Sequence, residues 1–155
     1  MNIKQVAAQL YTVRDYMKTP ADIAKGIKKI KAIGYGAVQA SGIGPIDDSE
    51  LMKILDGEGL ICCATHENPE KILNEPKTIV ERLKKLKCKY ASYPCPSSDV
   101  KLETLDDVRS LAKRLNTAGK VFHEAGHVLT YHNHHIEFRR FNGRLMLEIL
   151  YEETD

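Results

Sequence analysis

No apolar run in this chain comes near the roughly 18–20 residues that a membrane-spanning helix needs, so no membrane partner is expected. No export leader is evident either: MNIKQVAAQLYTVRD holds one Lys, then a short apolar stretch broken by Gln9 and Arg14. A cytoplasmic location is the expectation. No charge of one sign dominates, since 23 Lys and Arg against 21 Asp and Glu leave a formal +2. A nucleic-acid footprint would be strongly and locally basic, so no nucleic-acid partner is expected. No C-x-x-C joins the four cysteines Cys62, Cys63, Cys88 and Cys95, which read as reduced thiols rather than a disulfide or zinc framework. There is no G-x-G-x-x-G and no Walker A loop. The string GIG at 42–44 runs into Pro45, Ile46 and Asp47 without a third glycine. No Pro/Ser-rich linker or low-complexity tract divides the chain, so residues 1–155 are expected to form a single domain.

What the sequence does contain is a globular balance, 43% hydrophobic and 28% charged, which excludes wholesale disorder. Five short apolar runs recur: QVAAQLYT (5–12), YGAVQASG (35–42), GLICCATH (59–66), CKYASYPC (88–95) and HVLTYHNH (127–134). Amphipathic segments separate them. Thr19-Pro20 reads as an N-cap and first helical residue, followed by Ile23, Ile27, Ile30 and Ile33 and a stop at Gly34. Asp47 or Asp48 caps a second helix carrying Leu51, Ile54 and Leu55. A third starts near Pro76 with Ile79, Val80, Leu83 and Leu86 on one face. Thr104 opens a fourth with T-x-x-D, striped by Val108, Leu111, Leu115, Ala118 and Phe122 and stopped by Gly126. A fifth follows Gly143 with Leu145, Leu147, Ile149 and Leu150.

Five strand–helix repeats predict an α/β fold with a parallel sheet covered by helices. An open doubly wound sheet and part of a (β/α)8 barrel both satisfy that order. The strand faces favour the barrel. Ala7, Gln9 and Tyr11 share one face, as do Ala37, Gln39 and Ser41, then Cys62, Ala64 and His66, then Val128, Thr130, His132 and His134. Each set becomes polar toward its C-terminal end, as the mouth of a barrel requires. A full barrel takes about 250 residues, so this chain corresponds to about five of the eight units.

The H-E-x-x-H string His123–His127 is a zinc signature only on a continuous helix. Gly126 falls where the helix should end and a strand follows at once, so His123 reads as a solvated helix terminus. A second cluster, Tyr131-His132-Asn133-His134-His135-Ile136-Glu137-Phe138, carries more chemistry. Period 2 turns His132 and His134 the same way, and imidazoles with a carboxylate suit Zn²⁺, Mn²⁺ or Fe²⁺. His66 in ATHENP ends the third strand and faces the same mouth, whereas Glu67 should point elsewhere into solvent. Gln9 and Tyr11 end the first strand and can hydrogen-bond a polyol, and Gln39 is similar. Cys95 has no His beside it in sequence and does not read as a catalytic thiol.

At QLYTVRD, GYGAVQASGIGP, ATHENP and YHNHHIEF the sequence resembles the xylose isomerase-like TIM-barrel superfamily, and within it the sugar phosphate isomerases/epimerases. The resemblance runs the length of the chain and reaches the fifth βα unit. It implies a (β/α)8 barrel with a divalent metal (Mn, Zn or Mg) in its mouth, acting on a small sugar or sugar phosphate by isomerisation, epimerisation or related dehydration. By position it places a metal ligand at His132, where many relatives have Glu, with His134 beside it. Glu137 of the same motif becomes the candidate catalytic carboxyl. His66 matches a third-strand histidine lining many such sites, and Gln9, Tyr11, Gln39, His66 and Asn133 become candidate substrate contacts. The family's remaining ligands lie on strands six to eight.

Two other readings stay open. An incomplete barrel leaves strand edges exposed and should associate with itself, making a homo-oligomer or a non-catalytic assembly fragment. A DNA-repair nuclease of the endonuclease IV type shares the superfamily, but the charge balance weighs against it.

Overall fold

The computed structural model describes residues 6–155. Strands alternate with helices, and five strands form one sheet in the chain order β1-β2-β3-β4-β5. They are β1 (Ala8–Gln9), β2 (Ala37–Ala40), β3 (Ile61–His66), β4 (Tyr90–Tyr93) and β5 (Val128–Tyr131). Chain packing resolves two compact units. The first is the chain up to His66 with Glu81–Ala91, and the second is Glu67–Val80 with Ser92–Asp155.

In the first unit, β1, β2 and β3 pair in parallel. Helix α1 (Pro20–Ile33) begins where expected: the Thr19 hydroxyl accepts from the Asp22 N–H, and Asp22 accepts from the Thr19 N–H. Gly34 ends it with φ +113°, a conformation that costs glycine little. Ile23, Ile27 and Ile30 are buried. Ile33, expected on the same stripe, is 73% exposed, being the last residue before that turn. Helix α2 (Asp48–Gly57) is capped by Asp47, which accepts from the backbone N–H groups of Ser49 and Glu50. Leu51, Met52 and Leu55 are its buried residues.

The register between β2 and β3 contains an irregularity with consequences for the site. Val38 pairs with Cys62, Gln39 with Ala64, and Ala40 with Thr65, so Cys63 is an extra residue, a β-bulge. Its thiol donates to the Val38 carbonyl at 3.3 Å. Val38, Ala40, Cys62 and Thr65 are buried. Gln39, Ala64 and His66 lie on the opposite face, half-buried. The expectation that Cys62 shares a face with Ala64 and His66 is therefore corrected, because the bulge shifts the phase between them. None of the four cysteines is in a disulfide.

In the second unit, α5 (Leu105–Glu124) is the long central helix. Thr104 and Asp107 close a reciprocal capping box, and Val108, Leu111, Ala112, Leu115, Ala118 and Phe122 are buried. Helix α6 (Met146–Glu153) packs against it, burying Met146, Ile149 and Leu150. The Asn116 amide donates to the Glu153 carbonyl at 3.0 Å. Two features went unforeseen in the sequence. A short helix, α3 (Pro69–Asn74), is capped by Asn68. A hairpin of β6 (Arg140–Phe141) and β7 (Arg144–Leu145) turns at Asn142 and Gly143, both at positive φ. Helix α4 (Pro76–Lys85) follows α3 as expected. Among the described residues no helix is long and apolar enough to cross a membrane.

Thr104→Ala removes one side of the α5 capping box. It should cost about 1 kcal/mol, seen as a lower urea midpoint at unchanged m-value.

Candidate functional site

Polar side chains gather at the carboxyl ends of the strands in both units. In the first, the sheet register sets Gln9 of β1 directly opposite Gln39 of β2. Their amides meet, Gln9 Nε2 donating to Gln39 Oε1 at 2.9 Å. Tyr11 differs from expectation. The first strand is only two residues long, and the chain turns at once into a 3-10 helix, Leu10–Tyr16, that carries Tyr11. Its position comes from other contacts. The Tyr11 N–H donates to the buried Ser41 hydroxyl at 3.1 Å. The Arg14 guanidinium sits 4.1 Å from the centre of the Tyr11 ring and donates to the Tyr11 carbonyl at 2.8 Å. Gly42, at φ +63°, lies under the ring, where a Cβ would strike Tyr11 Cδ2. His66 ends β3 on the Gln39 face. Arg14 was not among the residues expected to matter, although it stands in the QLYTVRD run that carries the resemblance.

In the second unit, β5 ends at Tyr131, so His132, Asn133 and His134 lie in the loop beyond it rather than on the strand. The ladder continues for one residue, since the His132 N–H donates to the Tyr93 carbonyl at 3.1 Å. The two imidazoles still come together, with ring centres 4.8 Å apart in an edge-on arrangement. Burial and the neighbouring His134 ring hold His132 below the ordinary imidazole range, against an opposing pull from Glu137. Loss of solvent thus favours the neutral ring over the imidazolium at this position. Asn133 is exposed and donates to the His134 carbonyl at 3.4 Å. Glu137 is fully buried. Its Oε1 accepts from the Tyr131 hydroxyl at 2.8 Å and its Oε2 from the His134 N–H at 2.7 Å. Burial, then the Glu137 carboxylate, push the Tyr131 phenol far above its usual range, so it stays a donor. Tyr93 packs on Tyr131 with ring centres 5.8 Å apart.

His123 and His127 do not share a helix. Helix α5 stops at Glu124, Gly126 turns with φ +81°, and the His127 N–H closes back on the Phe122 carbonyl at 2.9 Å. Glu67, expected in solvent, is 7% exposed instead, its N–H donating to the Ser92 carbonyl at 3.3 Å. That bond holds Glu67 beside β4 rather than letting it swing free.

A protein-bound divalent ion of the kind expected needs several converging donors. Among the described residues no group of three or more His, Cys, Asp and Glu side chains is arranged to hold one. His132 and His134 offer two imidazoles, and both Glu137 oxygens are engaged. The described residues do not by themselves make up such a ligand set.

No protein-family model matches the sequence. No curated protein sequence matches it either. Solved structures do match in fold. A sugar phosphate isomerase/epimerase from Parabacteroides distasonis superposes with TM-score 0.84 at 20% identity, over 97% of this chain and 61% of that one. A xylose isomerase-like TIM barrel protein from Mycobacterium smegmatis, in complex with magnesium, gives 0.61 at 12%, over 81% and 54%. An AP endonuclease, family 2, from Brucella melitensis gives 0.61 at 11%, over 81% and 53%. The chain thus has the fold of a partial α/β barrel. It spans about three-fifths of the sugar phosphate isomerase/epimerase and about half of the other two.

Gly42→Ala forces a side chain into the left-handed region and against Tyr11. It should cost about 1–2 kcal/mol in urea unfolding and displace the Tyr11 ring from Arg14, visible in a crystal structure of the variant.

Proposed function

We propose that this chain supplies sugar-binding and proton-transfer groups for isomerisation or epimerisation of a small sugar or sugar phosphate. One observation carries the reading: imidazole and amide side chains gather at the carboxyl ends of parallel strands, where barrel enzymes place their chemistry. In the first unit the Gln9–Gln39 pair offers donors and acceptors suited to hydroxyl groups, and in the second Asn133 offers the same chemistry. Tyr11, just beyond β1, and His66, at the end of β3, are further polyol contacts within the first unit.

The chemistry asks for a base of moderate strength. His132 as the neutral ring accepts the proton from the carbon beside the sugar carbonyl, leaving an enediolate-like intermediate. The imidazolium so formed returns the proton. Delivery to the former carbonyl carbon, with the hydroxyl proton passing between the two oxygens, isomerises the sugar, whereas inversion of the same carbon takes a second proton donor on the opposite face. His134, in contact with His132, is placed to share the proton. A divalent ion of the Mn²⁺, Zn²⁺ or Mg²⁺ kind would require donors beyond these two rings. The near-balanced charge favours a small substrate over a nucleic-acid duplex.

The test is deuterium uptake from D₂O into a panel of ketoses, aldoses and their phosphates, followed by NMR. Uptake at the carbon beside the carbonyl is expected. His132→Ala should lower it about 100-fold or more, His134→Ala should lower it too, and His123→Ala should leave it unchanged. No uptake by the chain, or equal losses from His123→Ala, would sink the reading.

A second reading is favoured by a separate feature. Strand β5 is outermost in the sheet, and beside it lies an open cavity of about 730 Å³ lined by α5, β5 and the C-terminal residues. An uncovered strand edge next to such a hollow suits self-association. Light scattering on the purified chain should then show a dimer or larger species, and a monodisperse monomer at high concentration counts against it.

A further inference from the structure

The resemblance makes Glu137 a candidate catalytic carboxyl, but the geometry points to a different role. A general base must reach the proton it removes. Glu137 is fully buried, and each of its oxygens is already taken by an internal donor. Those donors are informative. One is the hydroxyl of Tyr131, the last residue of β5, which is packed against Tyr93 of β4. The other is the backbone N–H of His134, in the loop that carries both imidazoles. The carboxyl group therefore ties the rigid end of the sheet to the loop, two residues beyond the point where the ladder stops at His132.

We propose that Glu137 is a positioning residue, a buried strut between the Tyr131 hydroxyl and the His134 backbone that holds the His132 and His134 rings in contact. The other bonds hold the loop from its far end, where the Arg139 guanidinium donates to the Leu102 carbonyl and the Arg139 carbonyl accepts from the Met146 N–H, both at 2.9 Å. His134 and His135 are exposed, and Asn133 reaches only the carbonyl of its neighbour. The short 3-10 turn Ile136–Phe138 has no side-chain cap, so Glu137 itself is its anchor. A buried carboxyl group is costly unless its oxygens are satisfied, and the two bonds that satisfy it also set where His134 sits. This inference deepens the sugar reading and rests on it only for the activity measurement below.

Two variants separate a strut from a base. Glu137→Gln keeps both arms by turning its amide: Oε1 accepts from the His134 N–H, and Nε2 donates to the Tyr131 oxygen. It cannot take a proton. Glu137→Ala removes both arms. The readouts on the full chain are cross-peaks between the His132 and His134 rings, solvent exchange of the His134 amide, and deuterium uptake into the sugar panel. Glu137→Ala should lose the ring cross-peaks and speed His134 exchange by about tenfold or more. Glu137→Gln should restore both and keep uptake near that of the unaltered chain. Folded Glu137→Ala with its ring contacts intact would overturn the proposal. So would Glu137→Gln that keeps the ring contacts but loses uptake, since that marks a base. If Glu137→Ala does not fold, Tyr131→Phe decides in its place: weakened ring contacts support the strut, and unchanged ones overturn it. The ring and amide readouts need no substrate, so a failed sugar reading leaves this test standing.

Discussion

A parallel strand roofed by helices has no spare face. Alternate residues are committed to the helices and the rest to the other side, so one residue of phase decides which side chains can ever meet a ligand. In the first unit that phase is set by the bulge at Cys63. Val38 and Cys62 pair on the buried face, and so do Ala40 and Thr65, with Cys63 taken out of step between them. Were the pairing regular beyond Val38 and Cys62, Gln39 would face Cys63, Ala40 would face Ala64, and His66 would fall on the helix side. The extra residue is what returns Ala64 and His66 to the face of Gln39. It costs one ladder position, and the Cys63 thiol partly repairs the loss by donating to the Val38 carbonyl.

The helices were legible because their signals are local. Thr19-Pro20 with Asp22, and Thr104 with Asp107, are complete capping boxes within four residues, and each begins a helix where it stands. The strands' order and rough extents were legible from spacing. Their ends were not. QVAAQLYT alternates like a longer strand, yet the chain leaves the sheet after Gln9 because Tyr11 finds a better anchor in Ser41 and Arg14, residues 30 and three positions away. HVLTYHNH alternates through His134, yet pairing stops at His132 because Glu137 draws the His134 N–H to itself. Period 2 cannot report a side chain that competes for a backbone donor.

The candidate residues divide along the same line. That Gln9 and Gln39 would face one way was evident from parity, and the register then brought their amides together. The nearness of His132 and His134 was also expected, but for a different reason: their contact survives without a strand beneath it, through a bonded loop. Tyr131 carried no sequence signal as a partner of Glu137. A phenol at the end of a strand and a carboxyl six residues later have no fixed spacing that predicts a bond, and only the path of the loop joins them.

The fold by itself does not choose a chemistry, since structures bearing sugar-isomerase and endonuclease names both superpose on this chain, with TM-scores of 0.84 and 0.61. The choice falls to the side chains. Burial and the neighbouring ring lower the His132 imidazole below its ordinary range. The loop also offers fixed geometry, held from beneath by a carboxyl group that never meets solvent.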